Sequence, residues 1–520
     1  MLTKICLLLF CVTISLTTAR SPCFRAGVYE HYLIGRGQPI NASNPLQNVI
    51  KNLAAYERVA EEAARQNVEL LLFPEEGIFE AATSTASTDS VRFSTRPLCE
   101  EVPPVTAGST PIVPCRSDNF KGRPILRSLS CMARKHKFYV VANMCDIQKC
   151  TNGDTTCRDD GVRMYNTLVA FGPSGDLLGV YHKHHLFGET HYDLPPQEFV
   201  TFDTPFGRMG LYICFDKIFR DPSVTMAEVL GVDTMLLSTW WFDEAPFLLA
   251  HQYHQGEFFE IINDFLLTAS YSGWSLTNGV NMLAANMKHL KVGTTGSGIY
   301  SGADGAITYV HDSEGDWPRL LVANIASNPK KGPNQCSDSN PVSIPFKYTK
   351  TGTDYAFTQI DLDELVHVKL TKSEASLKVC DDGVCCEVDY VTESGLDQDV
   401  THYLVVANRT RDHFFWTKYK WTEEICAIVA YDGNQRNYSR TTGVVFQKLT
   451  LTGSFSTKYV YPSVLQNRLK LLKMDEWSMD GNSTVNEYTI HVESLSNILV
   501  VGLYGRPYDR DPAYDINDYQ

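Results

Sequence analysis

No apolar run in the 520-residue chain approaches the roughly 20 residues a membrane-spanning helix needs. The most apolar stretch, Ile5 to Leu16, is too short. No hydrophobic tail closes the chain, since Gly505 to Gln520 is polar and acidic, and a glycolipid-anchor signal requires such a tail. Basic residues are in deficit: 46 Lys and Arg face 60 Asp and Glu, for a net charge of −14. That balance argues against nucleic acid and anionic membrane as partners. The histidines His182, His184, His185 and His191 crowd one segment, but no H-E-x-x-H and no paired zinc spacing accompanies them. Lys183 in their midst repels a cation, so neither metal nor cofactor is expected. No internal repeat is present.

Residues 1–19 read as a secretory signal peptide. Lys4 supplies a weak basic start, Ile5 to Leu16 the apolar core, and Thr17-Thr-Ala19 the small residues before a cleavage site. The protein is therefore expected to be secreted and extracellular, with no transmembrane segment. Cysteine counting agrees. Of 15 Cys, Cys6 and Cys11 depart with the signal; setting Cys214 aside leaves twelve, an even number that fits six bridges. Sequence alone leaves their pairing open. Cys145, Cys150 and Cys157 have the character of zinc ligands, but in an exported chain disulfides are the simpler account. Sequons at Asn41, Asn408, Asn437 and Asn482 fit a glycosylated, secreted surface.

The roughly 500 residues left after export are too many for one ordinary core and suit two domains. From about 24 to 325 helices and strands alternate, which implies an α/β layered fold. Leu46, Val49, Ile50, Leu53 and Ala54 open an i, i+3, i+4 stripe that predicts a helix over 46–66. Val68 to Phe73 is almost wholly apolar, as in a strand covered on both faces. Asp221-Pro222 is expected to open a helix that Gly231 closes, and a longer helix is expected over 246–269. Residues 84–128, rich in Ser, Thr and Pro, read as a long loop across one face. An irregular stretch from Asn328 to Pro341 marks a boundary. Beyond it, strand-like segments such as Ile425 to Ala430 and Asn497 to Leu503 predict an all-β module.

Three apolar runs end in chemistry. Leu70-Leu-Leu-Phe-Pro-Glu75 delivers a carboxylate, Val180-Tyr-His-Lys183 an ammonium, and Gly210-Leu-Tyr-Ile-Cys214 a thiol. A thiol is a useful nucleophile only once it loses its proton. Glu75 can accept that proton and return it to a leaving amine. Lys183 can stabilise the oxyanion of a tetrahedral intermediate, beside the backbone N–H at the Cys214 elbow. Each residue alone has a bland explanation as a turn, a surface lysine or a buried small hydrophobe; together and in order they define a site. A papain-like protease would need a Cys-Gly-Ser-Cys-Trp context near the mature N-terminus, and Cys214 has neither that context nor that position.

The order Glu75, Lys183, Cys214, with the words Phe73-Pro-Glu-Glu-Gly77, Tyr181-His-Lys-His-His-Leu-Phe187 and Ile213-Cys-Phe-Asp216, resembles the nitrilase superfamily of carbon–nitrogen hydrolases. Val379-Cys-Asp-Asp-Gly-Val-Cys-Cys386 and Leu503-Tyr-Gly-Arg506 extend the likeness, closest to the vanin/biotinidase group, over nearly the whole mature chain. The resemblance implies a signal peptide at 1–19, an αββα sandwich catalytic domain at 20–326, a linker at 327–341 and a β-rich C-terminal domain at 342–520. It implies Glu75 as proton acceptor, Lys183 as oxyanion stabiliser and proton donor, and Cys214 as nucleophile. Glu189, six residues past Lys183, is the candidate for the additional supporting glutamate of many nitrilases. The implied substrate is a small-molecule amide: pantetheine first, biotinyl amides second, with a non-catalytic glycoprotein that keeps the fold as the remaining alternative. Two stretches depart from the family. Glu80 to Ser87 replaces an aromatic, Asn-containing wall of the substrate pocket, and Ser238-Thr-Trp-Trp-Phe242 stands where the family has Pro-Thr-Ala-Trp. Trp240, Trp241 and Phe242 are therefore expected to line an altered pocket.

Overall fold

Strand Leu70–Leu72 shows how the layers arise. All three leucines are fully buried, but they point alternately to opposite faces. Leu70 and Leu72 join a core formed between two sheets, whereas Leu71 packs beneath helices. A computed structural model describes residues 21–36, 44–79, 87–247, 271–290, 293–310, 317–331, 336, 340–347, 358–393, 395–397, 399–411, 419–433, 436–439, 441–472 and 476–513. The signal segment, Asn41, residues 80–86 and nearly all of the helix expected over 246–269 lie outside them.

The first sheet has seven strands in the order Val342–Pro345, Arg319–Ala326, Cys23–Glu30, Leu70–Leu72, Tyr139–Lys149, Val162–Phe171, Leu177–His182. Helices α1 (Gln47–Arg65) and, further along the chain, Pro124–His136 cover its outer face with Tyr56, Val59, Leu126 and Leu129. The second sheet runs Gly305–Tyr309, Gly298–Ser301, Asn281–Ala285, Thr234–Ser238, Gly207–Ile213, Val200–Thr204. It packs against the first through Met209, Leu211, Leu236 and Leu283. On its far side Met226 comes so close that a Cβ built on Gly210 would lie 3.3 Å from its sulfur. This is the αββα sandwich expected from the resemblance.

One expectation fails inside these layers. The segment 84–128 is not one long loop: α2 (Thr88–Thr95) forms within it, with Ser87 accepting the Ser90 N–H as its cap, and α3 (Pro124–His136) begins before it ends. The inward side of α2 is held by a guanidinium, Arg92, which is 4% exposed, so an apolar stripe could not announce it. The helix expected from Asp221 does form: Asp221 keeps the extended dihedrals of a capping residue and accepts the Thr225 hydroxyl, and the helical turn Arg220–Val224 runs on into α4 (Thr225–Glu228). Gly231 does take a left-handed φ of +64°, as a helix-ending residue should.

Strand Val342–Pro345 pairs with Arg319–Ala326, so residues expected to open the second domain add an edge to the first sheet. From Val366 onward the strands build an antiparallel β-sandwich. Its six-stranded sheet is ordered Val366–Lys369, Val400–Arg411, Trp421–Asp432, Ile498–Gly505, Val460–Gln466, Lys470–Leu471. Its five-stranded sheet is ordered Glu374–Asp381, Val384–Thr392, Val445–Ser454, Glu487–Ser496, Ser478–Asn482. The outer face of the six-stranded sheet packs onto the α/β layers through Val405, Ala427 and Val429. Strand Trp421–Asp432 is thus buried on both faces, and its stretch from Ile425 to Tyr431 reads as a continuous apolar run. Six disulfides take up all twelve remaining cysteines: Cys23–Cys336, Cys99–Cys145, Cys115–Cys131, Cys150–Cys157, Cys380–Cys385 and Cys386–Cys426. Among the described residues no helix is long and apolar enough to cross a membrane.

Candidate active site

Each chemical group sits just past the end of a strand. Glu75 follows the central strand of the first sheet, Lys183 follows Leu177–His182 at its edge, and Cys214 follows Gly207–Ile213 in the second sheet. Cys214 opens a short 3₁₀ turn, Cys214–Ile218, with φ of +45°, a left-handed conformation that costs a non-glycine residue roughly 1 kcal/mol or more. Asp216 holds the turn in that shape. Its Oδ2 accepts the Tyr181 hydroxyl at 2.8 Å and the Ile213 N–H at 3.2 Å. Its Oδ1 accepts the His185 N–H at 2.8 Å, with His185 Nδ1 at 2.9 Å. One carboxylate therefore ties the thiol's turn to the segment that carries Lys183.

The three groups converge in a water-poor site: Glu75 is 2%, Lys183 1% and Cys214 6% exposed. Lys183 Nζ donates to Glu75 Oε1 at 2.8 Å and also to Glu189 Oε1. Asn166 Nδ2 donates to the same Glu75 oxygen at 2.8 Å and to Glu189 at 3.3 Å. The Trp240 N–H donates to Glu75 Oε2 at 2.7 Å, and the Trp240 carbonyl lies 3.8 Å from Cys214 Sγ. Burial disfavours the Lys183 ammonium, but Glu189, Glu75 and Cys214 outweigh it and hold its pKa well above the ordinary value. Burial, reinforced by the charge of Glu75, pushes the Cys214 thiol well up, against the downward pull of Lys183 and Thr239. Burial and Glu75 likewise raise the Glu189 carboxyl against the pull of Lys183. The resting site therefore holds a protonated lysine and a neutral thiol. Such a thiol reacts only as a neighbouring carboxylate takes its proton.

Cys214 is the one free cysteine among the described residues. Iodoacetamide is expected to modify Cys214 alone in native, unreduced protein, read by peptide mass mapping; a second labelled site would break the six-bridge assignment.

Sequence reasoning missed Asn166, Asn143 and Asp216 as members of the site. Asn143 Oδ1 accepts the Glu76 N–H at 2.9 Å and its Nδ2 bonds Asn166 Oδ1 at 2.6 Å, so a pair of strand amides aims the glutamate loop. Polar residues buried in otherwise apolar strands were the available signal. Of the three aromatics, Trp240 reaches the site through its peptide, and Phe242 bridges to Thr294. Trp241 is 4% exposed in the buried cluster that also holds Cys214, with its backbone N–H on Asn286 Oδ1 at 2.8 Å.

The clustered histidines go to separate tasks. His182 lies between Asp146 and Glu198, and these carboxylates overcome burial to raise its pKa to about 9. His184 contacts the Pro195 carbonyl and His185 contacts Asp216. Burial and the charges of Arg92, Arg158 and Lys183 lower His191 to about 3. Among the sequons, Asn482 is exposed at a strand end, Asn437 Oδ1 accepts from Gln359, and half-buried Asn408 bonds the Asp382 carbonyl and accepts from Arg510.

Residues 38–254 match the carbon–nitrogen hydrolase family model and residues 354–511 match the vanin C-terminal domain model. Fold and site together define an enzyme that hydrolyses carbon–nitrogen bonds of amides. Over 507 residues the chain is 32% identical to a pantetheinase of Mus musculus, covering 94% of this chain and 90% of that protein. It is 30% identical to a biotinidase of Takifugu rubripes, covering 96% and 97%. The chain belongs to the vanin/biotinidase group of the nitrilase superfamily. A crystal structure of an amidase from Nesterenkonia sp. overlays more loosely, with a TM-score of 0.36 and 16% identity over 60% of this chain and 95% of that one.

Proposed function

We propose that this protein is a secreted pantetheine hydrolase that forms pantothenate and cysteamine through a thioester on Cys214. The observation that carries the reaction is the Trp240 peptide, whose N–H holds one oxygen of Glu75 while its carbonyl faces the Cys214 thiol. Base and nucleophile are thereby set side by side, with Lys183 on the other oxygen of the same carboxylate. Glu75 takes the thiol proton as Sγ attacks the amide carbon. The oxyanion forms beside the Lys183 ammonium, where a fixed charge in a dry site is most effective. Glu75 passes its proton to the amine nitrogen, the carbon–nitrogen bond breaks, and the amine departs. Glu75 then takes a proton from water, whose oxygen attacks the thioester carbonyl; collapse releases the acid and returns the proton to sulfur. Glu189 supports Lys183 throughout.

Pantetheine is favoured as substrate by the pantetheinases among the relatives, and export by the leader-like residues 1–19 and the six disulfides. Hydrolysis should tolerate changes in the amine half more than in the acyl half, because the acyl group alone stays on Cys214 through both steps. The test is kcat/KM for pantothenyl, biotinyl and simple acyl amides of one amine, with cysteamine release from pantetheine measured alongside. Preference for the pantothenyl amide supports the reading; preference for the biotinyl amide moves the protein to a biotinidase role. Equal values for all three would show that the wall near Trp240 selects nothing.

A further inference from the structure

Glu189 lies in an irregular loop, yet it must meet Lys183 with little freedom. Gly188 takes a left-handed φ of +73°, and no strand or helix spans 188–193. Two guanidinium groups fix the backbone instead. Arg158 Nη2 donates to the carbonyls of Thr190 and Tyr192 at 3.0 and 2.9 Å, and Arg92 Nη1 donates to the carbonyl of His191 at 2.8 Å. The three residues directly after Glu189 thus have all their carbonyl oxygens held. Both arginines converge on Asp193, whose side chain is 3% exposed. Its Oδ1 accepts Arg158 Nε at 2.8 Å, and its Oδ2 accepts Arg92 Nη1 at 2.9 Å and the Met164 N–H at 2.7 Å.

The arginines come from separate places, Arg92 from α2 and Arg158 from beside the Cys150–Cys157 bridge. Asp160 also bonds Arg92, through Nε at 2.8 Å. A clamp built from buried, charge-assisted bonds defines a loop position more sharply than neutral contacts do.

We propose that Arg92, Arg158 and Asp193 are positioning residues that hold Glu189 against Lys183, keeping the ammonium aimed at the reacting carbonyl. This rests on the roles of Lys183 and Cys214 in the proposed hydrolysis. In this proposal the clamp acts through Glu189, so its loss and the loss of Glu189 share one effect. The groups that face Lys183 are Glu75, Glu189 and Cys214, with His191 nearby on the clamped loop.

Arg158 is the member to change, since its side chain is the most exposed of the three at 29%. Arg158→Met is expected to lower kcat, taken per titrated Cys214, by about 10- to 100-fold with KM changed by no more than about twofold. The alkaline limb of the kcat profile should move to lower pH, because a displaced Glu189 no longer holds the Lys183 proton. Removing the positive charge of Arg158 by itself would move that limb the other way, so the sign separates positioning from simple electrostatics. Arg158→Lys should recover part of the loss. In the double variant Arg158→Met/Glu189→Gln, the Arg158 change should add less than about twofold to the Glu189→Gln loss. Full additivity, an unmoved or upward-moved limb, or a loss that vanishes on normalising to active sites would each overturn the clamp. A fully active Cys214→Ala variant would instead remove the assignment beneath it.

Discussion

Replacing Cys214 by alanine is expected to abolish amide hydrolysis, with kcat falling by about five orders of magnitude or more, as when the nucleophile of a covalent mechanism is deleted. The thiol sits at the mouth of the Cys214–Ile218 turn and forms no disulfide, so its removal opens no cross-link. Alanine inherits the same left-handed φ at the same cost, and Asp216 keeps its bonds to Ile213, Tyr181 and His185. Expression yield and melting temperature should therefore stay near the wild-type values. Substrate should still bind, and equilibrium dialysis of the variant with pantetheine should show it. Activity within tenfold of wild type would mean that a different group attacks the amide. Loss of both activity and fold would mean that the thiol is a packing element, against which the single labelling by iodoacetamide gives an independent check.

The positions of Glu75, Lys183 and Cys214 were legible because each closes an apolar run, and such runs are buried strands whose ends meet at one edge of an α/β layer. Glu189 was legible only through the family resemblance; its loop has no periodicity. Asp216 stood in plain view beside Cys214, but the residues it joins, Tyr181, His185 and Ile213, come together only when the two sheets face each other. The same holds for Asn143 and Asn166, separated by a strand pairing that places residues 140–149 against 162–171. Helix α2 hid for a related reason. A helix normally shows itself by the apolar stripe it buries, whereas α2 turns Arg92 inward to meet Asp160 and Asp193. Trp241 was expected to line the pocket; its backbone N–H is held by Asn286 Oδ1 and its side chain lies in the same buried cluster as Cys214. The twelve paired cysteines were countable but not pairable, since partners such as Cys23 and Cys336 are 313 residues apart.

Lys183→Met is expected to lower kcat by about two to three orders of magnitude, equivalent to the roughly 3–4 kcal/mol that a preorganised charge contributes to an oxyanion in a dry site. Methionine keeps the length and apolar stem of lysine and removes the charge alone. The loss should fall on kcat and spare KM, because the negative oxygen exists only after attack. A second consequence has a definite sign. Glu75 and Glu189 both bond Nζ, and without the ammonium two buried carboxylates face each other across its place. Like charges so placed disfavour double ionisation, so the acidic limb of the kcat profile should move to higher pH. Lys183→Arg should restore little, since a planar fork cannot take the place of a compact ammonium held by Glu75 and Glu189 at 1% exposure. Should the variant raise KM and leave kcat and the acidic limb untouched, Lys183 would be a ground-state binding residue, and the oxyanion would depend on backbone N–H groups at the Cys214 turn.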